Sequence, residues 1–295
     1  MKFLDVKTDY AFKKVFGSEQ SHAILISFLN AVIRFNHNLK IKDLEIVDPY
    51  NIPMLKGMKD SFVDVKARLE DDSLVIIEMQ VLNHQGFEKR VLYNAAKNYS
   101  IQLQSNEDYH LLNPVIALNI VDFIMFPDSD KVTNHFKLLE KEAFIHYSDD
   151  IELIFIELPK FQKTLAELQT AQDKWIYFIK NAGKLDCIPE QVQPEIKQAL
   201  EIANEANFSP EELELQHKRK EFIYIQKSSI NLALETGFDQ GVEKGIEQGI
   251  KAGSLQTKTQ IVLNAHKAGL TTPLIASIAG LSEADVNSII QNNAR

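Results

Sequence analysis

Asp64, Glu78 and Gln80 are the residues whose types and spacing could do chemistry. They lie in the stretch Ser61 to Val81, SFVDVKARLEDDSLVIIEMQV, which reads as two strands joined by a polar turn. Side chains alternate across a strand, so Val63, Val65, Ala67 and Leu69 share one face of the first strand, while Val75, Ile77, Met79 and Val81 share one face of the second. That face is predicted to be core. The opposite face then carries Asp64, Lys66 and Arg68 beside Leu74, Ile76, Glu78 and Gln80. If the chain reverses around Glu70 to Asp72, Asp64 falls opposite Glu78 or close to it, and a slip of one residue would bury these charges instead. Two carboxylates brought that close repel each other unless a divalent cation sits between them or one is protonated. One or two carboxylates with water filling the rest of the shell is the arrangement Mg2+ prefers.

The composition sets the frame for that hairpin. A chain of 295 residues with 45% hydrophobic content can bury a proper core. The one cysteine, Cys187, excludes an internal disulfide and a cysteine-rich zinc site. The opening MKFLDVKTDY carries Asp5 and lacks the apolar core of a signal peptide. The longest apolar-rich run, Pro114 to Phe126, is interrupted by Asn119 and Asp122 and is too short to span a bilayer. A cytoplasmic address and no membrane partner are expected. The net charge of −9 argues against coating nucleic acid through bulk electrostatics, so any such affinity should be local, around Lys13, Lys14, Lys66, Arg68, Lys89, Arg90 and Lys97. No G-x-S-x-G elbow, Walker A loop, G-x-G-x-x-G or H-E-x-x-H motif occurs.

The elements that must position the hairpin follow from periodicity. Residues 8 to 34 read as two short helices, with Thr8 or Asp9 capping the first, Gly17 ending it and Ser18 capping the second. Phe12 and Phe16 are core candidates. Leu44 to Val47 reads as a short strand leading to a loop at Pro49 and Pro53. Gly86 to Gln104 has helical spacing and places Arg90, Tyr93 and Lys97 at i, i+3 and i+7, a plausible phosphate clamp for Arg90 and Tyr93, with Lys97 read as a solvated lysine. Val115 to Ile120 and Ile154 to Leu158 are aliphatic runs typical of strands buried on both faces. Asn134 to Glu142 reads as a helical or irregular insertion, and His84 as a loop residue.

From Phe161 onward the periodicity is helical. Phe208 to Glu211 reads as a cap with Pro210 at the first helical position. Gly237, Gly241, Gly245, Gly249 and Gly253 then recur every fourth residue. In a water-exposed helix these five cost roughly 4–5 kcal/mol relative to Ala. A second helix packed against the row would offset that, so self-association is weighed against a flexible tether. Leu270 to Ile290 has a helix-turn-helix outline. Its second helix offers Glu283 and Asp285 and no Lys or Arg, which favours packing or assembly over DNA contact.

The D-x13-E-x-Q hairpin, with TDYAFKKVFG (Thr8 to Gly17), GFEKRVLYNAAKNY (Gly86 to Tyr99), DYHLLNPVIALNIVDF (Asp108 to Phe123) and IELIFIELPKF (Ile151 to Phe161) in that order, resembles the Rpn (YhgA-like) recombination-promoting nuclease and transposase family of the PD-(D/E)xK nuclease superfamily. Gln80 stands where that superfamily usually has Lys, and Ser105 to Glu107 replaces a Gly common before the DY pair. The resemblance implies an α/β fold, a restriction-endonuclease-like mixed sheet core flanked by helices and followed by an all-α C-terminal region. It covers the nuclease-like domain at residues 1–165; the helical periodicity adds a helical region at 166–230 and a Gly-repeat helix with its small tail, an expected oligomerisation element, at 231–295. It also implies a Mg2+-dependent DNA endonuclease, with Mn2+ a substitute, in recombination, mobile-element movement or phage defence. Asp64 and Glu78 would be the metal ligands with the Met79 carbonyl, Gln80 would position water, and Lys66, Arg90 and Tyr93 would meet DNA. Asp9 would be the acid from the first helix, unless it is only that helix's cap. The competing class is a catalytically silent DNA-binding or assembly protein derived from a transposase.

Overall fold

A computed structural model describes residues 1–35, 40–51 and 61–293; the expected loop residue Pro53 lies outside them. Helices α1 (Asp9–Phe16) and α2 (His22–Val32) precede strands β1 (Leu44–Val47), β2 (Tyr50–Asn51), β3 (Ser61–Phe62), β4 (Val65–Leu69) and β5 (Leu74–Gln80). Helix α3 (Phe87–Ser100) leads to β6 (Val115–Val121), β7 (Thr133–Leu139) and β8 (His146–Glu157), after which come α4 (Ala171–Asn181), α5 (Pro194–Ile202), α6 (Pro210–Lys267), α7 (Thr272–Ala279) and α8 (Glu283–Asn292). The chain divides into two compact units, Met1–Gln226 and Lys227–Arg295.

The first unit is built on a six-stranded mixed sheet in the order β1-β4-β5-β6-β8-β7. β4 and β5 are antiparallel, whereas β5, β6 and β8 run parallel. All seven residues of β6 are buried, as a central strand covered on both faces requires. One face packs under α3 through Ala95, Leu74, Ile76 and Ala117, with Phe87 and Val91 over Val121 and Phe155. The other face packs against α1, α2, α4 and α5.

Three expectations change here. Asn134 to Leu139 is strand, not an insertion: β7 pairs antiparallel with β8, with register shifts between Phe136 and Leu139. The packing does not divide near residue 165, because Trp175, Ile179, Ile196 and Leu200 of α4 and α5 join Phe12, Phe16 and Phe28 in one core. The switch to helical periodicity marks a change of element type inside one unit. Finally, Thr8 is the residue before α1 but makes no side-chain cap; its hydroxyl oxygen lies 2.9 Å from the Asp5 carbonyl and 2.8 Å from Gln216 Oε1 of α6, and its one proton serves one of them at a time.

The second unit contains the later part of α6 with α7 and α8, closed by Val262, Ile275, Ala279 and Val286. Gly280 takes a left-handed conformation (φ 60°, ψ 47°) at the end of α7, and Ser282 caps α8 by accepting from the Asp285 amide. The five glycines of the repeat lie within α6, and among the described residues nothing beyond the helix's own adjoining backbone stands within 4 Å of where a Cβ would be built on any of them. Among the described residues no helix is long and apolar enough to cross a membrane.

Candidate active site

The pairing Val65↔Ile77 and Lys66↔Ile76, continued by one residue, sets Asp64 opposite Glu78. Asp64 occupies a bend between β3 and β4. The Asp64 amide donates to the Ile77 carbonyl (3.0 Å), and its Oδ2 accepts from the Met79 amide (2.8 Å). The bend breaks the strand alternation: Val63 packs with Leu74 and Ile76 under α3, while Val65 and Ala67 pack on the opposite side with Ile77. Val63 therefore does not share the face of Val65. Bends and bulges of this kind re-aim a side chain where a strand meets a functional site.

Around the two carboxylates four elements converge on a cavity of about 300 Å³. β5 supplies Glu78, Met79 and Gln80, α1 supplies Asp9 and Lys13, α3 supplies Arg90, and α6 supplies Arg219, Phe222 and Ile223. The Lys13 ammonium lies 3.3 Å from Asp64 Oδ1 and 3.4 Å from Asp9 Oδ1. Arg90 pairs with Glu78 and donates to Gln80 Oε1 (2.7 Å), while Gln80 donates to the Leu82 carbonyl (2.7 Å). Gln80 thus has both ends of its amide engaged by the protein.

Asp9, Asp64, Glu78, Met79, Gln80 and Arg90 all line this cavity; Lys66 and Tyr93 do not. β5 and β6 are parallel, so α3 must run back along the sheet. Each turn beyond Arg90 moves away from the end of β5 that carries Glu78. Tyr93 sits one turn back, its ring 5.9 Å from the Lys97 ammonium. Lys66 lies opposite Ile76, likewise back along the hairpin. Lys97 is buried, not solvated. The fixed cations nearest Asp64 and Glu78 are Lys13 and Arg90. Arg219 and Phe222 escaped the sequence reading: a helix more than a hundred residues downstream gives no local signal of which of its faces meets the hairpin.

Burial sets the electrostatics. Asp64 and Glu78 side chains are only 12% and 13% exposed. Desolvation, then the hydrogen bond with Asp9, pushes the Asp64 carboxyl up to about 7, against the Met79 amide and Lys13. Burial also raises Glu78, opposed by Arg90. For Asp9 burial acts upward, but the Asp64 hydrogen bond and Lys13 together hold it below the usual carboxylate range. The Asp9–Asp64 pair therefore retains a proton to near neutrality. An acid whose pKa is raised on folding removes stability as pH climbs from its unfolded to its folded value. In chelator, the unfolding free energy is expected to fall between about pH 4 and about pH 7, and Asp64→Asn to flatten that slope. Denaturant titrations at stepped pH check this; a wild-type slope equal to that of the variant would contradict it.

The donor set suits a hard divalent cation: carboxylate oxygens of Asp64 and Glu78, with a main-chain carbonyl at Met79, and room for water. Among the described residues no three His, Cys, Asp or Glu side chains converge as a ready-made cage. The buried Asn94 amide lies beside Glu78 and draws its carboxyl downward, against the upward push of burial.

No curated protein and no solved structure matches the chain. A family model described as PD-(D/E)XK nuclease family transposase matches residues 6–233. The match runs through α4, α5 and the start of α6, as the first compact unit does. With three-quarters of its length matched, the chain belongs to the PD-(D/E)XK nuclease transposase family.

Proposed function

We propose that the protein is a divalent-metal-dependent DNA endonuclease. The observation that carries the reading is the pairing of Asp64 with Glu78 across β4 and β5 in a polar cavity that also holds Asp9, Lys13 and Arg90. Asp64, Glu78 and the Met79 carbonyl would hold Mg2+ or Mn2+. Bound there, the ion supplies Lewis acidity toward a phosphoryl oxygen and lowers the pKa of water.

The chain's own groups do the rest. Deprotonating the Asp9–Asp64 pair readies it for a cation, and Lys13 offsets the charge the two acids share. Water adds to phosphorus and the P–O ester bond breaks, leaving a phosphate monoester and a free hydroxyl. Gln80, engaged at both ends, holds Arg90 in place. Arg90 and Arg219 offer guanidinium groups to the strand's phosphates, a geometry suited to paired oxygens. Labelled duplex and single-stranded oligonucleotides, incubated with Mg2+ or with chelator, test the reading. Cleavage confined to the metal arm supports it.

A second reading has one observation in its favour: Arg90 already neutralises Glu78, so the family's fold could serve here as a silent DNA-binding or assembly module. Tight DNA binding in chelator with no cleavage under any metal would select it.

The C-terminal part of α6 is proposed to join copies of the chain along its glycine row, in a cytoplasmic protein. Val242, Ile246 and Ile250 follow the glycines by one residue and are exposed, so a ridge lies beside a groove along the i±4 direction. Gly241→Ala with Gly245→Ala should raise helix stability by about 0.8–1 kcal/mol per site while weakening association. Thermal circular dichroism and sedimentation equilibrium check the two effects; unchanged association would contradict the contact.

A further inference from the structure

A second cavity, of about 450 Å³, lies against the edge strand β7 and is separate from the acidic hairpin. Its lining includes Arg34, Lys131, Thr133, His135, Lys137 and Glu152. Thr133, His135 and Lys137 alternate along β7, and the register sets Thr133 opposite Ile156 and His135 opposite Ile154. The strand thus turns one row of polar side chains toward the helical layer that covers Ile154 and Ile156.

The groups in this row are arranged for a ligand. Glu152 is buried at 7% exposure and its Oε1 lies 2.9 Å from His135 Nδ1. That contact fixes the ring and leaves Nε2, which is buried and has no hydrogen-bond partner. A carboxylate holding one imidazole nitrogen characteristically presents the other to something else. A carboxylate only accepts, so Nδ1–H donates to Glu152. Lys137 is shared between Asp149 (2.6 Å) and Glu152 (3.8 Å). Arg34 and Lys131 are both exposed, and among the described residues no carboxylate pairs with either. Thr133 Oγ1 accepts from Gln172, which leaves its own O–H to donate. In a chain of net charge −9, this wall gathers Arg34, Lys131 and Lys137 beside Glu152, with Lys137 already matched by Asp149. A carboxylate ligand offers fewer oxygens than a guanidinium, an ammonium and a hydroxyl together can engage. A tetrahedral oxyanion has enough.

We propose that this cavity is a phosphate-binding site. Arg34 and Lys131 supply the charge, Thr133 donates its hydroxyl, and His135, its ring held by Glu152, stands in the wall as the reporter of occupancy. The phosphate is that of a polynucleotide backbone or of a small phosphoanion, and the site does not depend on the nuclease reading.

The test uses the full chain in chelator. Inorganic phosphate is titrated while the His135 imidazole resonance is followed, assigned with His135→Gln. In parallel, the affinity of a short duplex is measured across salt concentrations. The comparison protein is Arg34→Ala/Lys131→Ala, both positions being exposed and outside the core. A saturable shift in the wild type, weakened about tenfold or more in the double variant, is expected. If the salt slope of duplex binding also falls by about 0.9 for each cation removed, the phosphate is a backbone one. If the slope is unchanged while phosphate still binds, the site serves a small phosphoanion. Absence of a saturable shift with phosphate overturns the proposal, whatever the duplex arm shows.

Discussion

Glu78→Ala is expected to abolish metal-dependent DNA cleavage, lowering the rate by roughly 10³-fold or more, and Asp64→Ala to do the same. A cation's electrostatic share of a phosphoryl-transfer barrier is several kcal/mol, and each 1.4 kcal/mol is about tenfold in rate. Neither carboxylate has a substitute in the cavity: Asp9 is half exposed and already engaged with Lys13, and Gln80 is uncharged. Removing Glu78 also frees Arg90 from its ion pair. DNA affinity in chelator should therefore hold or rise while cleavage is lost. That divergence separates a missing catalytic group from a misfolded protein. Time courses on a labelled duplex, with binding measured in chelator on the same preparations, read both quantities. A variant that cuts within a few fold of wild type would remove the site assignment.

Trp175→Ala is the substitution expected to cost most in stability, about 3–5 kcal/mol. Trp175 is fully buried and packs on Phe28 and Phe178, with ring centroids 5.6 Å and 5.7 Å away, and on Phe16 at 5.9 Å. Its indole N–H donates to Ser27 of α2 (3.3 Å). Losing the ring leaves a cavity that Phe16 of α1 and Phe28 of α2 must fill together, and α1 carries Asp9 and Lys13 into the site. The same packing means that a fragment ending at residue 165 exposes the α1–α2 side of the core and should not fold alone. Chemical denaturation of the variant, and solubility of the fragment, check both statements. A cooperatively folded 1–165 fragment would contradict the shared core.

The Asp64–Glu78 juxtaposition was legible because the β4–β5 hairpin is local. Alternation and a polar turn together determine which side chains face each other; that Leu74 and Ile76 on the same face are covered by α3 emerges only from the packing. Val63 was misplaced because a bend at Asp64 is a backbone event that alternation cannot register. β7 was missed because an edge strand half open to solvent, TNHFKLL, lacks the aliphatic run that marks β6 and β8. The boundary expected at 165 rested on a change of period, and period reports element type, not which core an element joins. Lys13 was visible as a cation near the hairpin, but its choice over Lys66 depends on how α1 docks. Arg219 depends on a contact across more than a hundred residues, which no spacing encodes.

The most direct measurement is the conversion of supercoiled plasmid by the wild-type protein and Glu78→Ala, side by side, in Mg2+, Mn2+, Ca2+ and EDTA. Relaxed or linear product from the wild type in Mg2+ or Mn2+, with none in EDTA and none from the variant, is the predicted result. Equal cleavage in EDTA or by Glu78→Ala, or no cleavage under any condition while the DNA remains bound, would contradict it.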